Sequence, residues 1–322
     1  MKKNFFKLSF VCLLFLFLAV FSIFTNFSTL FDSSKLYAQS SSGTSSTSSA
    51  TDSYVPDSLG RKIPISNYQK IGILNPAVIR NLSHAYYKFT NVVGVDSYSK
   101  DAYKEILPKN IEIIGDFNGP NLEKIVSLKI DLLVIDISFP QKIKDEIEKL
   151  KINYFVFSTF NTYGGIKKDI ENLFKLFKID NKIIFNITND INKKEGLINN
   201  ISKKFKNKKT LIVVWYENGF MCAGKDSFLS SFFEKFGFSN LINTNGYPTI
   251  SDETFLKLNP DHILIASSYL NKDILNKDIY KNVNAVKNGS IVTIDSELEN
   301  KLLQPSRDTW DAFIYILNNF KK

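Results

Sequence analysis

The sequence predicts an α/β protein of two doubly wound, parallel-sheet lobes joined by one long α-helix, with a cleft between the lobes. Three observations predict it. Short β-branched and aromatic runs alternate with amphipathic helical patterns, a helix–strand unit recurs at an offset of 130 residues, and a long helical pattern separates the two copies. Alternating strands and helices bury parallel sheets on both faces. A unit repeated within one chain implies two lobes of similar build.

The chain opens with Lys2, Lys3 and Lys7, an apolar run over 8–24, and a small residue, Ala38, before Gln39. That order belongs to an export signal, and the 17-residue run also just reaches the length of a membrane helix. Residues 1–38 are therefore expected to be either a signal peptide or an N-terminal anchor. Cys12 makes a poor lipid-attachment site, because Ser9, Phe10 and Val11 precede it and most of the apolar run follows it. Residues 39–53 (QSSSGTSSTSSATDS) cannot bury apolar surface and read as a flexible tether. Cleavage after Ala38 would remove four lysines and one aspartate, so the exported chain would carry +6 rather than the +9 of the whole sequence. Only Arg61, Arg80 and Arg307 are arginines, which argues against nucleic acid, since phosphate and base readers rely on guanidinium forks. Export would leave Cys222 without an internal partner, as a core residue.

Residues 54–179 are expected to form the N-terminal ligand-binding lobe, with strands near 71–74, 92–95, 132–135 and 154–157. Helical spacing appears at Ile143, Ile147 and Leu150, and again at Ile166, Ile170, Leu173, Phe174 and Phe177. Residues 180–207 are expected to form the interlobe helix, because Ile183, Ile184, Ile187, Ile191, Ile198, Ile201 and Phe205 keep one face apolar. Residues 208–322 form the C-terminal ligand-binding lobe in this reading. Its strands are expected near 211–215, 263–265 and 291–294, and a Phe-rich helix over 228–236 stops at Gly237.

The repeat aligns 121–131 (NLEKIVSLKID) with 251–261 (SDETFLKLNPD). Each copy has an N-cap residue, a glutamate at the second helical position, and an aspartate just before a buried-type strand. Phe117 and Tyr247 stand six residues before the two glutamates, Glu123 and Glu253.

Some motifs suggest other chemistry. Residues 219–226 (GFMCAGKD) come within one residue of a phosphate-binding loop, but Asp226 replaces the hydroxyl that would hold magnesium and its charge would repel phosphate. Asp226 is expected to cap the next helix. His84 and His262 are the two histidines, too few for a histidine-rich metal cage. His84 with Tyr86 and Tyr87 could touch iron, though ordinary helix-surface residues fit the pattern better. A secreted α/β hydrolase on the same sheets is the alternative, and it would need one histidine paired with a nucleophile. No catalytic residue is assigned, no resident metal or cofactor is expected, and the protein is read as not an enzyme. Aromatics stand in the loops beyond the strand ends: Tyr98, Phe117, Phe139, Phe160 and Tyr163, then Trp215, Tyr216, Phe220, Tyr247 and Tyr269. An aromatic cleft between two sheets suits a large flat or greasy ligand.

From residue 54 onward the chain resembles the substrate-binding proteins of ABC importers for iron–siderophore, haem and cobalamin, the helix-bridged class. The resemblance rests on 57–64 (DSLGRKIP) as an opening hairpin, 70–77 (KIGILNPA) as first strand and ligand loop, 92–96 (VVGVD), 115–129 (GDFNGPNLEKIVSLK) and 223–228 (AGKDSF). It implies a cleft that binds a cobalamin-like chelate or a ferric siderophore, with haem or free metal as alternatives. The ligand contacts would come from Asn75, Tyr98, Phe117, Phe160 and Arg307, together with Trp215, Tyr216, Phe220, Tyr247 and Tyr269. It also implies that Glu123 and Glu253, one per lobe, dock the loaded protein onto an ABC importer permease dimer. The protein would act as an exported monomer, periplasmic or tethered to the outer face of the cytoplasmic membrane. Contact with the membrane would come only through the N-terminus or the permease. Ile130 departs from the family's usual proline, and Trp215-Tyr216 with Phe220-Met221 lean toward the cobalamin branch.

Overall fold

The computed structural model describes residues 53–116, 119–158 and 162–321. The signal or anchor, most of the tether, and the candidates Phe117 and Phe160 lie outside the described residues. A small hairpin, β1 (Tyr54–Pro56) and β2 (Lys62–Pro64), opens the fold. Asp57 closes its turn by accepting from the backbone of Leu59 and Arg61, and it ties the hairpin to the first sheet through Val156 N at 3.2 Å.

The first sheet is built from β3 (Ile71–Leu74), β4 (Val92–Asp96), β5 (Glu112–Asp116), β6 (Gly119–Pro120), β7 (Leu132–Asp136) and β8 (Asn153–Phe157). Their order is β6-β5-β4-β3-β7-β8, parallel except at β6. The connecting helices are α1 (Pro76–His84), α2 (Ser97–Ala102), α3 (Leu122–Ser127), α4 (Gln141–Lys149) and α5 (Tyr163–Leu176). Every residue of β7 is buried because helices cover both faces. Leu132 and Val134 enter one core while Leu133 and Ile135 enter another, as the two-residue side-chain period requires.

Next comes α6 (Asn181–Ser202), extended by one 3₁₀ turn over Lys203–Phe205. Asp180 caps it, and its 22 residues span about 33 Å. The second sheet contains β9 (Lys209–Tyr216), β10 (Phe220–Cys222), β11 (Ser239–Asn240), β12 (Thr249–Ile250), β13 (His262–Ile265) and β14 (Ile291–Thr293). Its helices are α7 (Phe228–Lys235), α8 (Asp252–Leu258), α9 (Asn284–Lys287), α10 (Ser296–Leu303) and α11 (Thr309–Asn319). The central pairs of this sheet, β9–β13, β13–β14 and β9–β11, are parallel. The β9–β10 and β10–β12 pairs are antiparallel. Gly219 makes the turn at φ +152°, and a Cβ there would sit 2.6 Å from the Ile250 carbonyl oxygen. The glycine of the phosphate-loop-like motif is thus a hairpin residue. Asp226 is not the helix cap either: Ser227 caps α7, and the Asp226 carboxylate accepts from Gly246 N at 2.6 Å.

The lobes share one core. Phe155, Phe157 and Phe174 of the first lobe join Phe228, Phe232 and Trp310 of the second in a single buried cluster, with Ile187, Ile191 and Ile198 of α6 along it. Each sheet keeps a smaller core on its other face. No helix among the described residues is long and apolar enough to cross a membrane.

Candidate functional site: two tips and the seam between the lobes

The repeat is structural to the residue. In the first lobe β6, α3 and β7 follow one another, and in the second β12, α8 and β13 do so at the same offset. Asn121 and Ser251 cap the helices by accepting from Lys124 N and Thr254 N. Ile125 and Phe255 anchor them in the outer cores. Lys129 and Asn259 both take left-handed conformations, at φ 56° and 43°, so that each chain reverses into its strand. Asp131 and Asp261 then clamp the start of the central strands: Asp131 accepts from Gln69 N and Lys70 N, and Asp261 from Lys209 N. With this scaffold fixed, Glu123 and Glu253 stand exposed at equivalent places, and neither enters an ion pair among the described residues.

The lobes also meet along a seam of polar contacts. There the residues 304–308, between α10 and α11, reach the first lobe. Arg80 Nη2 lies 2.8 Å from Asp308 Oδ2, and His84 Nε2 lies 3.0 Å from the same oxygen. Asn81 donates to the Pro305 carbonyl at 2.9 Å, and the Tyr103 hydroxyl donates to Gln304 Oε1 at 2.7 Å. Burial alone would raise the Asp308 carboxyl, but His84 and Arg80 outweigh it and hold the group well below the usual carboxylate range. Glu299 is buried beneath this seam, accepting from Ser268, and burial pushes its carboxyl up.

The candidate ligand residues separate into three groups. Trp215, Tyr247 and Tyr269 keep accessible aromatic surface. Trp215 is half-buried near the end of β9, opposite Met221, and Met221 and Tyr247 are both partly buried against the shared core. Tyr269 lies beyond the end of β13 and is 46% exposed. A register shift at Met221 and Cys222 places Trp215 on the shared-core side and Tyr216 on the other. Tyr216 consequently rests on Phe220, with ring centroids 4.8 Å apart.

A second group spans the seam. The Tyr98 hydroxyl donates to Asn300 Oδ1 at 3.1 Å and accepts from Gln304 Nε2 at 3.2 Å. Arg307 turns to α6, with Nε 2.8 Å from Asp190 Oδ2 in a partly exposed ion pair. The third group is core. Phe220 is fully buried among Phe255 and Tyr280, which corrects its assignment to the ligand. Asn75 is likewise consumed by the fold: its Oδ1 accepts from Ala77 N to cap α1, and its Nδ2 donates to Asp136 Oδ2 at 2.9 Å. Phe139 and Tyr163 are buried too, Tyr163 with its ring edge on Phe232 and Trp310. Sequence reasoning passed over Arg80, Tyr103, Glu299, Gln304 and Asp308. Their one signal is the polar break over 304–308 between two apolar helices.

His262 does meet a serine, with Nδ1 2.5 Å from Ser290 Oγ. Both are buried at the N-terminal end of the sheet, the imidazole lies against Phe205 and Phe320, and burial lowers its pKa to about 4. This is a core histidine remote from the seam. Cys222 is also core, its Sγ facing the Phe220 carbonyl, and burial pushes its thiol up. Among the described residues no three His, Cys, Asp or Glu side chains group so as to hold a metal ion.

The structure thus has two α/β lobes on a shared core, with matched tips and a seam of polar contacts between them. The family model described as periplasmic binding protein matches residues 82–298, and the chain belongs to that family. It is 27% identical over 217 residues to the uncharacterized ABC transporter substrate-binding lipoprotein YvrC of Bacillus subtilis, covering 64% of this chain and 67% of the relative. The petrobactin-binding protein YclQ of the same organism is 24% identical over 259 residues, 74% of this chain and 78% of the relative. In fold, the chain matches the periplasmic catecholate-siderophore binding protein VctP of Vibrio cholerae with a TM-score of 0.68 at 18% identity, over 82% of this chain and 98% of that one. The protein is accordingly an extracytoplasmic substrate-binding protein and not an enzyme.

Proposed function

We propose that the protein, acting as a monomer in the periplasm or tethered to the outer face of the cytoplasmic membrane, captures a bulky metal chelate between its lobes. It then delivers the chelate to an ABC importer permease dimer. The observation that carries this reading is the pair of equivalent tips, each offering one exposed carboxylate, Glu123 and Glu253, that enters no ion pair among the described residues. Two such groups on a two-lobed body suit a two-subunit partner with guanidinium or ammonium sockets.

The chelate is of low charge, cobalamin-like or a weakly charged ferric siderophore. Arg61, Arg80 and Arg307, the three arginines of the chain, are paired with Asp57, Asp308 and Asp190. Strongly anionic chelates call for free guanidinium forks. Trp215, Tyr247 and Tyr269 instead offer apolar faces with polar edges. Thermal-shift titration against cobalamin, haem, ferric hydroxamate, ferric catecholate and ferric citrate tests the reading. Cobalamin or the hydroxamate should raise the midpoint, and the proposal fails if no chelate does. Glu123→Ala with Glu253→Ala should leave chelate affinity intact while abolishing uptake.

A further inference from the structure

Each tip carries a second repeated feature. Val126 and Leu256 sit three residues after Glu123 and Glu253, at the same 130-residue offset, and both are exposed, by 49% and 36%. Residues three apart on a helix are neighbours on one face. The buried anchors Ile125 and Phe255 lie just before them, so the exposure does not arise from loss of the apolar pattern. The charges flanking the glutamates are neutralised inside each lobe. Lys124 Nζ lies 2.6 Å from Glu112 Oε2, and Lys277 Nζ lies 2.8 Å from Asp252 Oδ2. Each tip therefore presents the same short pattern: one exposed carboxylate that enters no ion pair among the described residues, and one bare aliphatic side chain.

We infer that Val126 and Leu256 are docking residues. They seat on apolar rims beside the two cationic sockets of the permease, so that contact requires a carboxylate and an aliphatic group at each of two related points. This inference rests on the proposed permease reading and adds its apolar half. A carboxylate alone meets any basic surface, and its attraction fades with salt. An aliphatic neighbour at fixed spacing adds a salt-insensitive contribution and discriminates against basic surfaces without the matching rim. The repetition carries the argument, since scattered exposed aliphatics are ordinary on protein surfaces. Two at equivalent repeat positions, beside the two exposed glutamates, form one pattern used twice.

The test measures binding of the full-length chain to its permease reconstituted in lipid nanodiscs, at low and high salt. Val126→Thr with Leu256→Gln keeps a β-branched shape at one site and a good helix former at the other. Circular dichroism and unchanged chelate affinity verify that the variant is folded. The double variant should bind the permease about tenfold more weakly, with the same factor at both salt concentrations, as loss of roughly 1.4 kcal/mol of apolar contact implies. Glu123→Ala with Glu253→Ala should weaken binding mainly at low salt. Wild-type binding by the Val126/Leu256 variant, with loss in the glutamate variant, would overturn the inference and leave the docking reading standing. No loss in either would overturn both.

Discussion

Asp308 is the most informative single position for the rigidity of the two-lobe body, because its carboxylate meets both an arginine and a histidine of the other lobe. Its carboxylate meets Arg80 at 2.8 Å and His84 at 3.0 Å, and the three side chains are only 16–23% exposed. Asp308→Asn preserves shape and removes the charge, leaving Arg80 half-buried without a counter-ion. Breaking a fully buried pair by removing one partner costs about 3–5 kcal/mol, and partial exposure reduces this to about 2–3 kcal/mol. The sign with pH follows from the depressed carboxyl. The contribution is fully present above the ordinary aspartate range, near pH 4, and is lost as pH falls through the lower folded-state value. Urea unfolding followed by far-UV circular dichroism should show Asp308→Asn less stable at pH 7, and the gap to wild type should narrow steadily below pH 4. Arg80→Met should cost a similar amount, and the double variant should cost clearly less than the two combined, with a coupling of about 1–2 kcal/mol. A loss under about 0.5 kcal/mol, or strict additivity, would refute the assignment of this contact as the clamp between the lobes.

Three further outcomes are expected. Of the two tryptophans, Trp310 is fully buried and Trp215 keeps accessible surface, so Trp215→Ala should cost less in unfolding than Trp310→Ala, remove ligand-dependent quenching, and weaken chelate binding by at least about tenfold; unchanged quenching would move the site elsewhere. Phe220→Ala should cost about 3–5 kcal/mol in urea unfolding without changing chelate affinity per folded molecule, whereas a selective affinity loss would return Phe220 to the site. His262, with a folded-state pKa near 4 against about 6.5 unfolded, contributes stability that is present above pH 6.5 and declines by about 3 kcal/mol as pH falls toward 4. Buried Asp96, raised to about 6, acts in the opposite sense over the same interval, so the comparison is between wild type and His262→Phe. The variant should lose less stability than wild type between pH 6.5 and 4, and identical slopes would refute the buried-neutral histidine.

Local pattern carried the tips. Helix caps at Asn121 and Ser251, the glutamates two residues later, and the aspartates that precede β7 and β13 act through bonds close in sequence or within one lobe, so their spacing is legible without a structure. The central strands were legible too, because 71–74 and 132–135 are apolar without interruption, as full burial between helix layers demands. The aromatic inventory was a poor guide to the site. Tyr216 and Phe220 look like ligand residues by composition, yet the outer core of the second lobe takes up both rings. The antiparallel β10 and β12, only three and two residues long, carry too few side chains to show a period.

The sequence by itself determined the two lobes, the helix between them and the two exposed glutamates, since periodicity, capping and repetition are properties of short stretches. Only the tertiary structure decided which aromatics remain accessible and what becomes of the arginines. A one-residue register shift at Met221 changes the face on which Trp215 and Tyr216 stand, and no hydropathy pattern records such a slip. The partners of Arg80 and Arg307 lie 228 and 117 residues away along the chain, in groups that meet only after both lobes have folded onto their common core.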